Sequence, residues 1–305
     1  MLRGIIPILL VPFDANGNID EISLRRVVRF ELEAGVHGIG INGFASEAYK
    51  LTDAERERTV QIVADEVAGS VPLVIGIAPG STRAAQHQAR EFAKFNPVAY
   101  MVLPPATFDN GPRALVDHYV RLGEVLDAPV MVQQSPHIPM YSHCLLGAEH
   151  LAEMANRSSN ILYFKIEGDG APARMAALKP LLPDHAGMFG GVGGITFLQE
   201  LNIGVLGVIP GVGFNEIFLQ AWQAWTENKL EQVQGILTHY NPLVNVVSSP
   251  GHEFSLHARK RLLKRIGVIA HDMVRTPTCE TNEQALQNVL GVADRFELRV
   301  SRKGE

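Results

Sequence analysis

The sequence predicts an α/β fold: a (β/α)8 TIM barrel with a C-terminal helical extension. Three observations predict it. Eight apolar, strand-like runs recur along the chain, each followed by a helix-like stretch, in repeats of roughly 25 to 35 residues. The runs are near-continuously apolar rather than alternating, as in parallel strands covered on both faces. No G-x-G-x-x-G fingerprint follows the first run, which counts against a doubly wound open sheet.

The strand-like runs are GIIPILLVPF (4–13), HGIGING (37–43), VPLVIGIA (71–78), VAYMVLPP (98–105), APVMVQQ (128–134), ILYFKI (161–166), AGMFGG (186–191) and VLGVIPG (205–211). Helical periodicity fills the intervals at 20–35, 52–69, 81–95, 111–126, 145–157, 172–182 and 195–203. The first helix closes on Gly35, and the second opens on Thr52 with Glu55 three residues on, a capping box. From about Asn215 the remaining chain is helical and exceeds a single barrel helix. The expected division is therefore a barrel over 1–228 and an extension over 229–305 packed on it.

With 46% hydrophobic and 19% charged residues, the 305-residue chain has ample material for a core. A net charge of −5 without long charged blocks gives no reason to expect nucleic acid or an anionic membrane as partner. No apolar stretch approaches the roughly 20 residues of a membrane span. Pro7, Pro12 and the DANGN turn fit a first strand better than a signal peptide. Cys144 and Cys279 lie far apart without CxxC spacing, which reads as reduced thiols and a cytoplasmic location.

In a barrel of this kind chemistry sits where the strands end. The strand-end polar residues are Asn42, Ser46 and Glu47; Gln133, Gln134 and Ser135; Lys165 and Glu167; and the Gly190–Gly194 stretch. Lys165 stands out. Lys50, Lys94, Lys179, Lys229, Lys260, Lys264 and Lys303 fall on helices, loops or the tail, where solvated charge is the ordinary expectation. A lysine inside an apolar strand is desolvated, which disfavours the ammonium form and frees the amine to attack a ketone. Side chains alternate along a strand, so residues 165 and 167 share one face, and amine and acid can reach the same bound molecule. The same spacing suits a structural ion pair. Gly190, Gly191, Gly193 and Gly194 allow either backbone contact with a ligand or tight strand–helix packing, and their spacing is not that of a phosphate loop. HEFSLH (252–257) misses the HExxH spacing by one position, so no metal is expected there. No serine sits in GxSxG.

The segments PILLVPFDANGNID, GFASEAYKLTDAERE, PVMVQQSP, YFKIEGDG and FGGVGG together resemble the dihydrodipicolinate synthase/N-acetylneuraminate lyase family over essentially the whole length. That resemblance implies a Schiff-base-forming barrel acting on 2-keto acids, with Lys165 as the imine-forming lysine. Where typical members carry Gly-Thr-Thr-Gly-Glu, this chain has Gly43-Phe44-Ala45-Ser46-Glu47, so Ala45 replaces a relay threonine. Where they carry Tyr-Asn-x-Pro it has Gln133-Gln134-Ser135-Pro136, and Ile138 stands where the synthase has a carboxylate-binding arginine. These departures argue against dihydrodipicolinate synthase activity itself.

One branch shares them. PVMVQQSP, YFKIE, Ser46-Glu47 and LTDAER are similar to the 2-keto-3-deoxy-L-arabinonate dehydratases. The resemblance implies dehydration of a 2-keto-3-deoxy sugar acid to a semialdehyde, with Glu167 as acid/base in place of the lost tyrosine. It further implies that Ser46, with amides near Ala45, holds the substrate carboxylate, and that Gln133 and Gln134 bind hydroxyls. Gly191 and Ile209 complete the candidate contacts. No metal or organic cofactor is implied; the partner is a small 2-keto acid, and the family commonly forms homodimers and homotetramers. The chain departs from this branch in its GGVGG and GDG segments, which face the distal part of the substrate. A pyruvate-releasing class I aldolase and a non-catalytic keto-acid-binding barrel are the alternatives.

Overall fold

The computed structural model of the chain describes residues 1–78, 80–107 and 109–301. Strands and helices alternate: β1 (Gly4–Ile5), α1 (Glu21–Ala34), β2 (Ile39–Ile41), α2 (Asp53–Val67), β3 (Leu73–Ile77), α3 (Thr82–Phe92), β4 (Ala99–Val102), α4 (Gly111–Val125), β5 (Val130–Gln134), α5 (Ala148–Arg157), β6 (Ile161–Ile166), α6 (Ala171–Leu178), β7 (Gly187–Gly190), α7 (Phe197–Ile203), β8 (Gly207–Val208) and α8 (Glu216–Thr226). All strand pairs are parallel, in the order β1-β8-β7-β6-β5-β4-β3-β2. This is the TIM barrel that the alternation predicts.

The first run is less regular than expected. Pro7 has no N–H to give the ladder, so continuous pairing ends at Ile5. Pairing resumes at Ile8, which bridges both Gly40 and Gly211; Ile8 donates to Pro210 O at 2.8 Å and Leu9 to Gly40 O at 2.8 Å. That double bridge joins the two ends of the sheet and closes the ring.

The local signals hold. Asp20 caps α1 through the Ser23 amide, and Gly35 ends it at φ +87°, a left-handed conformation that suits glycine. The Thr52/Glu55 capping box is formed at the start of α2. The chain past α8 gives α9 (Leu230–Ser248), α10 (His252–Arg265) and α11 (Glu283–Ala293). α9 packs on α8, and α10 lies across the C-terminal mouth of the barrel, where Lys260 meets Glu47. No helix among the described residues is long and apolar enough to cross a membrane.

Strand alternation separates two cores. Leu2, Ile6, Ile8, Val74, Ala99, Met101, Met131, Tyr163, Phe189 and Ile209 fill the barrel interior. The opposite strand faces, such as Val132, Phe164 and Ile166, pack under the helices. An inward Tyr163 therefore puts Lys165 and Glu167 inward as well, above a packed floor.

Candidate active site

In the ladder Lys165 lies between Gln133 of β5 and Phe189 of β7. Beneath it the Tyr163 and Phe189 rings meet edge to face at 5.9 Å. Its Nζ lies 3.2 Å from Glu167 Oε1, both side chains being 6% exposed. The Glu167 carboxylate is fixed from three sides. Oε2 accepts from Ser135 Oγ at 2.6 Å and from Gln133 Nε2 at 2.8 Å, and Oε1 accepts from the Val192 amide at 3.1 Å. Burial alone raises this carboxyl, but the Lys165 charge, His137 and the bonds from Ser135 and Gln133 outweigh it and hold it at about 2. Glu167 is thus an ionised, oriented carboxylate. A Cβ at residue 191 would lie 2.2 Å from Glu167 Oε1, so only glycine lets the β7 turn approach the carboxylate.

Lys165 and Glu167 open into a cavity of about 480 Å³ at the C-terminal mouth. The structure brings Ala45, Gly191 and Ile209 to its wall, and Gln133 to the same place through Glu167. Two expected contacts are not brought there. Ser46 is fully buried and gives its hydroxyl to Leu9 O at 2.6 Å; Gln134 accepts from the Leu146 amide at 2.9 Å, behind the strand. Alternation explains Gln134, since with Gln133 inward its neighbour faces the helices.

The expectation of solvated charge is corrected for two lysines. Lys260 is 0% exposed; its Nζ binds Glu47 Oε1 and Met273 O and lies 4.4 Å above the Phe13 ring. The Lys50 side chain is 5% exposed and pairs with Glu47 Oε2 at 3.3 Å. The Arg275 amide donates to the same Glu47 oxygen at 3.0 Å. Glu47, at φ +53°, is consumed by this cluster and does not line the cavity. Burial lowers Lys260 to about 8 despite Glu47. Lys303 lies outside the described residues.

Sequence reasoning missed the cavity's far wall, which α9 and α10 supply: Ser248, His252, Ser255 and Arg259. Nothing in a helical extension marks which of its faces will cover a barrel mouth. HEFSLH is divided in use. His252 packs on Phe44 at 5.6 Å in the cavity wall, and burial lowers it to about 4, so it is neutral. Glu253 accepts from Lys50 at 3.1 Å and from Thr278 at 2.7 Å, and also from Tyr49; His257 meets Thr278 at 2.9 Å. Glu253, His257 and Cys279 bring ligand atoms within 4.8 Å of one another, but a cation there would have to displace Lys50. Glu200 also went unmarked. It reaches the cavity from behind Gly190, accepts from Thr196 at 2.7 Å, and is raised to about 7 by burial and by Glu167.

A sequence profile of the dihydrodipicolinate synthetase family matches residues 1–294. The chain is 29% identical over 304 residues to L-2-keto-3-deoxyarabonate dehydratase of Azospirillum brasilense, covering 98% of this chain and 96% of that protein. It is 29% identical over 297 residues to 4-hydroxy-tetrahydrodipicolinate synthase of Methanopyrus kandleri, covering 88% and 97%. The crystal structure of dihydrodipicolinate synthase from Rhodopseudomonas palustris superposes with a TM-score of 0.87 at 20% identity, covering 96% and 97% of the two chains. With a closed (β/α)8 barrel, a lysine at the inner end of β6 and a match over nearly the full length, the chain belongs to the dihydrodipicolinate synthetase family of lyases.

Proposed function

We propose that the protein is a Schiff-base-forming dehydratase of a 2-keto-3-deoxy sugar acid. The observation that carries this reading is the Glu167 carboxylate, held by Ser135, Gln133 and Val192 at 3.2 Å from the Lys165 amine. A structural ion pair needs no such orientation on the wall of a cavity. The similarity to the Azospirillum dehydratase supports the choice among lyase reactions.

The residues assemble into a balanced sequence. Lys165 loses a proton, which Glu167 is placed to accept, and its neutral amine adds to C2 of the keto acid. Glu167 returns that proton to the carbinolamine hydroxyl, so the former keto oxygen leaves as water, a protonated imine remains, and Glu167 is again a carboxylate. Glu167 removes a proton from C3; the C–H pair forms C2=C3 and the imine π pair moves to nitrogen, giving a neutral enamine. The positive charge that held Glu167 ionised has now gone, so its carboxyl can keep the proton and then deliver it to the C4 hydroxyl. As water departs, the nitrogen pair re-forms the imine and C3=C4 appears. Tautomerisation and hydrolysis release the semialdehyde and regenerate Lys165. Gln133 does not titrate; its part is to position Glu167. The amides beside Ala45, in the cavity wall, suit the substrate's C1 carboxylate.

Product analysis across a panel of 2-keto-3-deoxy acids, with semialdehyde and pyruvate quantified separately, tests the reading. Semialdehyde as the main product is expected. Pyruvate as the main product would mean C3–C4 cleavage and replace the dehydratase with an aldolase.

A further inference from the structure

We propose that Arg259, with Ser248 and Ser255, forms an anion-holding subsite at the far end of the cavity, where the substrate carries a second carboxylate. The inference takes from the proposed function only the orientation of the substrate, with its keto carbon at Lys165. A six-carbon diacid dehydrated there gives a 2,5-dioxo acid, and the semialdehyde follows when the carboxyl beside the new ketone leaves as CO2 and a proton takes its place.

Arg259 arises from α10 and lies over the ends of β7 and β8. A Cβ at Gly211 would sit 2.9 Å from its Nε, and one at Gly193 would sit 3.2 Å from its Nη2 and 2.2 Å from Ser248 Oγ. The two glycines leave the guanidinium room over the barrel mouth, 4.7 Å above the Phe214 ring. The residue is 4% exposed and lines the cavity. Nη1 donates to Val212 O at 2.6 Å, Nε to Ser255 Oγ at 3.2 Å and Nη2 to Ser248 Oγ at 3.4 Å. Among the described residues three of its five N–H donors are thus engaged, all by neutral acceptors.

Its electrostatic position is unusual in this molecule. Buried Lys165, Lys50 and Lys260 each have a carboxylate within 3.3 Å. Arg259 has none within ion-pair reach among the described residues. Glu31, the acid that acts on it from a distance, is occupied by the Gly213 amide at 3.0 Å and Asn215 at 2.8 Å. Burial lowers Arg259 only to about 10, so it is cationic at neutral pH. A buried, unpaired cation is costly, and one facing a cavity is relieved by an anionic ligand. One guanidinium flanked by two hydroxyls balances a single carboxylate and leaves a phosphate dianion only half neutralised.

The separation fits a short acid. Gly191 abuts Glu167 and Gly193 abuts Ser248 and Arg259, so backbone positions two residues apart, at most about 7 Å, lie against the two groups of side chains. That proximity favours an acid of about five or six carbons over a longer chain.

Calorimetric binding of 2-oxoglutarate and 2-oxoadipate, against 2-oxopentanoate and 2-oxohexanoate, tests the subsite without requiring turnover. The wild type is expected to bind the dicarboxylate at least about tenfold more tightly at one chain length or the other, as a charge-assisted hydrogen bond implies. In Arg259→Met the preference should fall to within about twofold, and Arg259→Lys, which keeps the charge without the fork, should fall between. No preference at either length in the wild type overturns the subsite, whether or not the variants fold, and so does a preference that survives in Arg259→Met. Borohydride trapping of pyruvate runs alongside. Trapping lost with the preference intact overturns the role of Lys165 and leaves the subsite standing; trapping intact without preference overturns the subsite alone.

Discussion

The buried lysine–glutamate pairs Lys165 with Glu167 and Lys260 with Glu47 differ in what surrounds them. The side chains of Lys260 and Glu47 are 0% exposed, and each has its remaining bonding capacity taken up by protein: Met273 O and the Phe13 face on one side, Lys50 and the Arg275 amide on the other. Glu167 is as fully bonded as Glu47, yet Lys165 borders a cavity. Burial and ion pairing therefore do not identify a reactive lysine. What separates the two is the cavity that Lys165 lines and Lys260 does not. The Lys260 pair instead fastens α10 to the second-strand loop, and so fixes the helix that carries Arg259.

The largest expected difference between the pairs is in covalent chemistry. Lys165→Met should abolish the borohydride-trapped pyruvate adduct, read by peptide mass spectrometry. Lys260→Met should keep the adduct in its folded fraction but lose up to about 3–5 kcal/mol of stability to urea, because it leaves the buried Glu47 with Lys50 as its remaining cationic partner. An adduct on Lys260, or its persistence in Lys165→Met, would break the comparison. Next in size, Glu167→Gln should still form the imine while turnover drops about 10²–10⁴-fold, the usual contribution of a positioned acid/base. Near-normal turnover would return Glu167 to a purely structural role.

The smallest effect is a pH dependence. Glu167 is held at about 2, below its ordinary 4.5, so its contribution to wild-type stability is complete above pH 4.5 and is lost as pH falls from 4.5 towards 2. In Lys165→Met the largest lowering influence is gone, so the carboxyl moves up from its wild-type position. Glu167 then takes up its proton at a higher pH than in the wild type. The gap in unfolding free energy between wild type and Lys165→Met should thus narrow as pH falls from neutral towards 2. A constant gap in urea titrations would show that Lys165 does not hold the carboxylate charged.

Much of the molecule was legible because its signals are local. Helix caps such as Thr52/Glu55 and Gly35, the apolar strand runs and the parity linking Lys165 to Glu167 each depend on neighbours a few residues apart. The exceptions share a cause. Lys260 looked solvated because its helix is rich in charge, and its partner Glu47 is 213 residues away. Ser46 looked like a ligand because it follows a strand, yet its hydroxyl is taken by Leu9 across the sheet closure. Each glycine of the Gly190–Gly194 turn meets a different long-range neighbour, among them Glu200, Glu167, Ser248 and Phe218.

By itself the sequence determined the barrel, the family and the residues at the inner end of β6, since hydrophobic period and strand parity are properties of short segments. Only the tertiary structure decided which buried lysine faces open space and which is sealed, and that Arg259 has no carboxylate within ion-pair reach among the described residues. Those outcomes depend on closing the β1–β2 seam and laying α10 over the mouth, which joins residues separated by most of the chain.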